Sequence, residues 1–76
     1  MNKNDFLIAL QDIFQTDETI QEDTHLKNLD EWDSLSKMAV MAYYKDNFNI
    51  KLSLDILDKV ETTKDLIGLA EGKIND

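Results

Sequence analysis

Apolar positions along the chain alternate between stretches of helical period and stretches without one. From Asn4 to Gln15, Phe6, Leu7, Leu10, Ile13 and Phe14 recur at three- and four-residue spacing. That spacing predicts a helix with one apolar stripe. Asn4 fits its N-cap, and Asp5 suits its first turn. Thr16 to Asp33 shows no period. A loop of that length in a small domain is usually functional or tied down. Ile20, Leu26, Leu29 and Trp32 are spaced along it as anchors, and Thr24 is placed to cap one short turn.

A second helix is predicted from Ser34 to about Asn47. Asn49 to Leu52 is a connector, too short and isolated for a sheet strand. Ser53 can cap a short helix through Lys59, with Leu54 and Leu57 turned inward. The last helix starts near Thr62 or Thr63 with Asp65 in its first turn, and Leu66, Ile67, Leu69, Ala70 and Ile74 form its inner face. Gly72 is a natural stop, and Lys73 suits the C-terminal dipole. Gly68, in the middle, weakens this helix by roughly 1 kcal/mol relative to alanine and points to close helix packing. The predicted order is helix, long anchored loop, helix, short helix, helix. With no proline and no repeat, residues 1–76 read as one all-α domain.

The second helix has two apolar sides. At 100° per residue, Val40, Met41 and Tyr44 cluster with Phe48, while Leu35, Met38, Ala39 and Ala42 cluster opposite. A helix at the edge of a small domain needs one such stripe. The bulkier set is assigned to the core. Leu35, Met38 and Ala42 are then at least partly exposed beside Ser34, as a surface for docking partners. Met38 suits a surface that repacks against several of them.

Composition narrows the chemistry. A 76-residue chain buries only about 60% of its unfolded surface, too little for a large catalytic cavity. With no cysteine there is no disulfide, thiolate zinc site or cysteine nucleophile. His25 is the only histidine, so a Ser-His-Asp hydrolase is disfavoured. Asp17, Glu18, Glu22 and Asp23 lack the order of a calcium loop. The net charge of −8 disfavours nucleic acid and anionic membranes and suits basic partners. The first residues show no signal pattern, and no apolar run reaches membrane-span length. A soluble, cytoplasmic monomer is expected.

Ser34 stands where the long loop becomes a helix. A helix start leaves about four backbone N–H groups without intrahelical partners, and the peptide dipoles add partial positive charge. An anion, above all a phosphate, is favoured there. The Ser34 hydroxyl is therefore a candidate for carrying a phosphodiester. Asp33 or Ser34 acting only as an N-cap is the simpler alternative on these residues alone.

Asp33-Ser34-Leu35 after a long loop, Asn47-Phe48, Ile50, and Val60-Glu61-Thr62-Thr63-Lys64-Asp65-Leu66 together resemble the acyl carrier protein family over nearly the whole chain. The resemblance implies a small four-helix bundle with a long first loop and a short third helix. It implies a non-catalytic carrier, with 4′-phosphopantetheine attached to Ser34 and acyl groups held as thioesters. It implies as partners a phosphopantetheinyl transferase (holo-carrier-protein synthase) and enzymes of acyl loading and transfer. By similarity Asp33 helps the transferase position its metal and the serine. Leu35, Met38, Ala42, Asp30, Glu31 and Asp55 are the expected docking residues.

The chain departs from fatty-acid carriers in two respects. Glu31-Trp32 replaces the usual small pair, and the second helix carries Lys37 and Lys45 with Asp46 as its acid. A specialised carrier is expected, in lipid, glycan or secondary metabolism. An aminoacyl or peptidyl (D-alanyl-type) carrier and an unmodified helical interaction module are the alternatives.

Overall fold

The computed structural model describes residues 1–75. It contains α1 (Lys3–Phe14), a single 3-10 turn (Leu26–Asn28), α2 (Ser34–Phe48), α3 (Leu54–Asp58) and α4 (Thr63–Gly68). The described residues are thus all-helical with four α-helices, and their only β pairings are two isolated bridges. The Cα radius of gyration, 11.1 Å, is close to the ~11 Å expected of one compact unit of this length.

The core gathers Phe6, Leu10 and Phe14 of α1, Val40, Tyr44 and Phe48 of α2, Leu57 of α3 and Leu66 of α4. The bulkier side of α2 thus faces inward, although Met41 is only half-buried. Tyr44 is the largest fully buried side chain. Its ring meets Phe48 edge-on at 5.0 Å and Phe6 at 6.0 Å, geometries that aromatic quadrupoles favour. Its hydroxyl donates to the Leu66 carbonyl and so ties α2 to α4. Burial, with Tyr43 beside it, pushes the Tyr44 phenol far up and keeps it a neutral donor.

The long loop is pinned at both ends. Its anchors Ile20, Leu26 and Trp32 are buried and Leu29 is half-buried. Its middle is held by backbone bonds to the start of α4. Thr63 N–H donates to the Thr24 carbonyl at 3.1 Å, Lys64 N–H to Glu22 at 2.9 Å, and Leu26 N–H to Glu61 at 2.8 Å. The loop thereby satisfies first-turn donors that α4 cannot satisfy itself. Thr24 closes a turn through its hydroxyl, accepting from Gln21 N–H at 2.8 Å, but this turn precedes the 3-10 turn instead of capping it.

Several local expectations are corrected. The N-cap of α1 is Asn2, not Asn4; its Oδ1 accepts from Asp5 N–H at 2.7 Å. A clasp between the termini explains the earlier start: Lys3 N–H donates to the Asn75 carbonyl at 3.0 Å, and Asn75 N–H to Met1 at 2.9 Å. Helix α4 ends at Gly68, well before Gly72. Its end tightens into three-residue bonds, Leu69 to Leu66 at 3.0 Å and Ala70 to Ile67 at 3.1 Å. A Cβ at Gly68 would meet nothing within 4 Å, so no close helix approach requires that glycine. Ile67 and Leu69 are half-buried, while Leu66, Ala70 and Ile74 are buried. Leu54 points outward at 39% exposure, leaving Leu57 as the buried residue of α3. Lys73 serves the C-terminus of α2, donating from Nζ to the Phe48 carbonyl at 3.0 Å.

Two buried hydroxyls predict opposite outcomes. Tyr44→Phe removes the tie from α2 to the Leu66 carbonyl, which keeps only its bond from Leu69 N–H, and is expected to cost about 1 kcal/mol in urea unfolding. Thr63 is fully buried, and its Oγ1 has no hydrogen-bond partner among the described residues. Thr63→Val is therefore expected to be neutral or to stabilise by up to about 1 kcal/mol.

Asp65 supplies a pH test. Backbone N–H bonds from Glu61 at 3.0 Å and Thr62 at 3.2 Å hold its carboxyl below the ordinary value. A lowered folded value means its contribution is complete above about pH 4 and fades as pH falls through that lower value. The urea-midpoint gap between the native chain and Asp65→Asn should be constant above pH 5 and close below pH 4.

Candidate functional site

Helix α2 begins at a reciprocal cap. Asp33, extended at φ −117°, is the N-cap, and its Oδ1 accepts from Ser36 N–H at 2.9 Å. Asp33 N–H in turn donates to Ser36 Oγ at 3.1 Å. The Ser36 hydroxyl donates to the Glu31 carbonyl at 2.5 Å. Two serines two residues apart thus have opposite fates. Ser36 is buried and fully engaged, whereas Ser34, the first residue of the helix, is exposed and its hydroxyl bonds to no described residue.

Ser36 was not singled out from the sequence. Its signal was there: Asp-x-x-Ser just before an apolar helix is a capping box with the usual partners exchanged.

The backbone N–H groups of Ser34 and Leu35 have no hydrogen-bond partner among the described residues, because the cap uses Ser36 and the first helical turn closes at Lys37. These amides, at the positive end of a 15-residue helix, can donate to an anion carried on the adjacent hydroxyl. The donor set therefore fits a phosphodiester on Ser34.

The approach to the cap is fixed by Trp32 and Lys37, the positions before the N-cap and in the second turn. Trp32 is buried and meets Phe14 edge-on at 5.8 Å. Lys37 Nζ lies 5.3 Å from the indole centroid and 2.9 Å from Asp58 Oδ1 of α3. A hydrophobic staple normally joins these two positions; here a cation–π contact does so. Lys37 is therefore not a freely solvated lysine: its side chain is only 17% exposed and links the loop, α2 and α3.

The expected docking residues divide into groups. Leu35 is 76% and Met38 52% exposed, and Ala39 and Ala42 are exposed too, so the second side of α2 is uncovered. Leu35 and Ala39 share a depression with Glu31, Asp33 and Ser36. Met38 and Ala42 line a different groove with Met41 and Leu52. Asp30 and Asp55 are exposed and line neither. Ile56 of α3, at 40% exposure, adds apolar surface that the sequence reading did not include. His25 is exposed in the loop, bridged through its backbone to Thr62.

Among the described residues no cluster of His, Cys, Asp or Glu is arranged to hold a metal ion, and no helix is long and apolar enough to cross a membrane. Compared with known proteins, the chain matches no family model, no curated protein and no solved structure.

The two serines separate structure from chemistry. Ser36→Ala is expected to lower stability by about 1–2 kcal/mol, because it removes half of the cap and the hydroxyl's own bond to the Glu31 carbonyl. Ser34→Ala, which breaks no bond, should stay within about 0.5 kcal/mol of the native chain. Thermal and urea unfolding monitored by circular dichroism measure both.

Proposed function

We propose that this chain is a non-catalytic carrier protein, with Ser34 as the attachment point of a 4′-phosphopantetheine arm that holds acyl groups as thioesters. The observation that carries this reading is the contrast at the start of α2. Ser34 presents an unbonded hydroxyl beside two unpartnered amides, while Ser36 is locked into the cap. In the modification, the Ser34 oxygen takes up the phosphoryl group of coenzyme A, the pyrophosphate bond breaks, and the nucleotide half leaves. The serine proton goes to a base of the transferase.

A chain with no cysteine gains its thiol from that arm. The group performs the thioester chemistry; the protein supplies placement. A tethered cargo is also concentrated at whichever enzyme the carrier docks on. Asp33 orients the serine through the cap and, in this reading, faces the transferase metal during modification. The exposed Leu35, Met38 and Ala42 form the face on which the transferase and acyl-transfer enzymes dock, with Asp30, Glu31 and Asp55 nearby as acids for basic partners.

Incubation with coenzyme A, magnesium and a broad-specificity phosphopantetheinyl transferase tests the proposal by intact-mass spectrometry. The expected result is one phosphopantetheine per chain, mapped to Ser34 and absent from Ser34→Ala. A chain left unaltered in mass would overturn the carrier reading and favour an unmodified interaction module acting through the same apolar face.

A further inference from the structure

Two depressions of the surface are lined by acids without any lysine: Asp12 and Asp17 in one, Glu31 and Asp33 in another. A further one reverses this. It is a groove of about 510 Å³ beside the second side of α2, lined by Met38, Met41, Ala42 and Leu52 with Lys45 and Lys51, and no acid. On a chain with 8 basic and 16 acidic residues, two lysines framing one apolar floor are a local exception.

Both lysines can still bind an anion. Lys51 Nζ has no partner among the described residues. Lys45 Nζ gives one of its three protons to Asn49 Oδ1 at 2.9 Å, and the other two are free to donate. Two thioether side chains on the floor adapt to chains of different shape.

We propose that this groove binds a linear apolar chain ending in a carboxylate, with the chain on the methionine floor and the carboxylate between Lys45 and Lys51. Met38 opens the groove one turn beyond Ser34, and Lys45 lies seven residues further, about 10 Å along the helix axis. Resting on the carrier reading, the occupant is cargo that keeps a second acid group after its first has become the thioester. The class is a dicarboxylic acyl group.

The probes are decanoate, decanol and decyltrimethylammonium, each below its micellar concentration, titrated into the unmodified chain. The chain has three methionines, Met1, Met38 and Met41, so methyl-labelled methionine gives a three-signal NMR readout. Decanoate is expected to shift Met38 and Met41 and leave Met1 in place. The Lys45→Gln/Lys51→Gln double variant should weaken decanoate binding about tenfold, two exposed ion pairs together giving roughly that factor. It should leave decanol unchanged. Equal binding of all three probes, preference for the cation, a shift at Met1 alone, or no shift at all would overturn the proposal. Because the unmodified chain is used, failure here leaves esterification of Ser34 standing, and failure of esterification leaves the groove's preference for anions standing.

Discussion

The two-way bond between Asp33 and Ser36 decides where α2 begins, and the position of every other candidate residue follows from it. With Asp33 extended and Ser36 turned back onto it, the helix cannot start earlier or later by a residue without losing both bonds. Moving the start by one residue would rotate the whole helix by about 100°, turning Tyr44 away from the core. A cap is worth only about 1 kcal/mol in stability. Its larger consequence is register.

The cap depends in turn on how the loop reaches it. A loop of 19 residues, 15–33, has many routes across a surface, and closing it costs entropy that grows slowly with length. Here the route is fixed by backbone bonds to the start of α4 and by the indole of Trp32, wedged against Phe14 and covered by Lys37. The ion pair from Lys37 to Asp58 is partly exposed and contributes at most about 1 kcal/mol. Its geometric effect is to hold α3, a helix too short to be stable alone, against the helix that carries Ser34.

What was legible in the sequence were the features with a local period or a local cap. The order of elements, the inward Val40, Tyr44 and Phe48, the Ser53 cap and the acid at the start of α4 all follow from neighbours within four residues. What was not legible depends on partners far along the chain. Asn2 displaces Asn4 as cap because Asn75 pairs with it. Lys73 reaches the Phe48 carbonyl, a contact no helix-end rule could supply. Leu54 is exposed because a five-residue helix presents little more than one residue to the core, and Leu57 takes that place. At the site, Ser34 was readable because loop ends and helix starts leave a pattern. Ser36 leaves the weaker pattern, because a serine at the third helical position is an uncommon partner in a capping box.

The doubled apolar character of α2 is the remaining step. A small domain with a thin core gains from every apolar residue it can cover. Yet Leu35 and Met38 stay largely in water, beside half-buried Met41. Polar residues at positions 35 and 38 would cost the core nothing, since neither side chain belongs to it. Helix propensity does not require them either, because lysine or glutamine would serve as well. Stability therefore does not account for that side of the helix. Under the proposed carrier reading, recognition accounts for it: Leu35 beside the free hydroxyl, and the Met38 groove framed by two lysines, are the surfaces that partners and cargo would use.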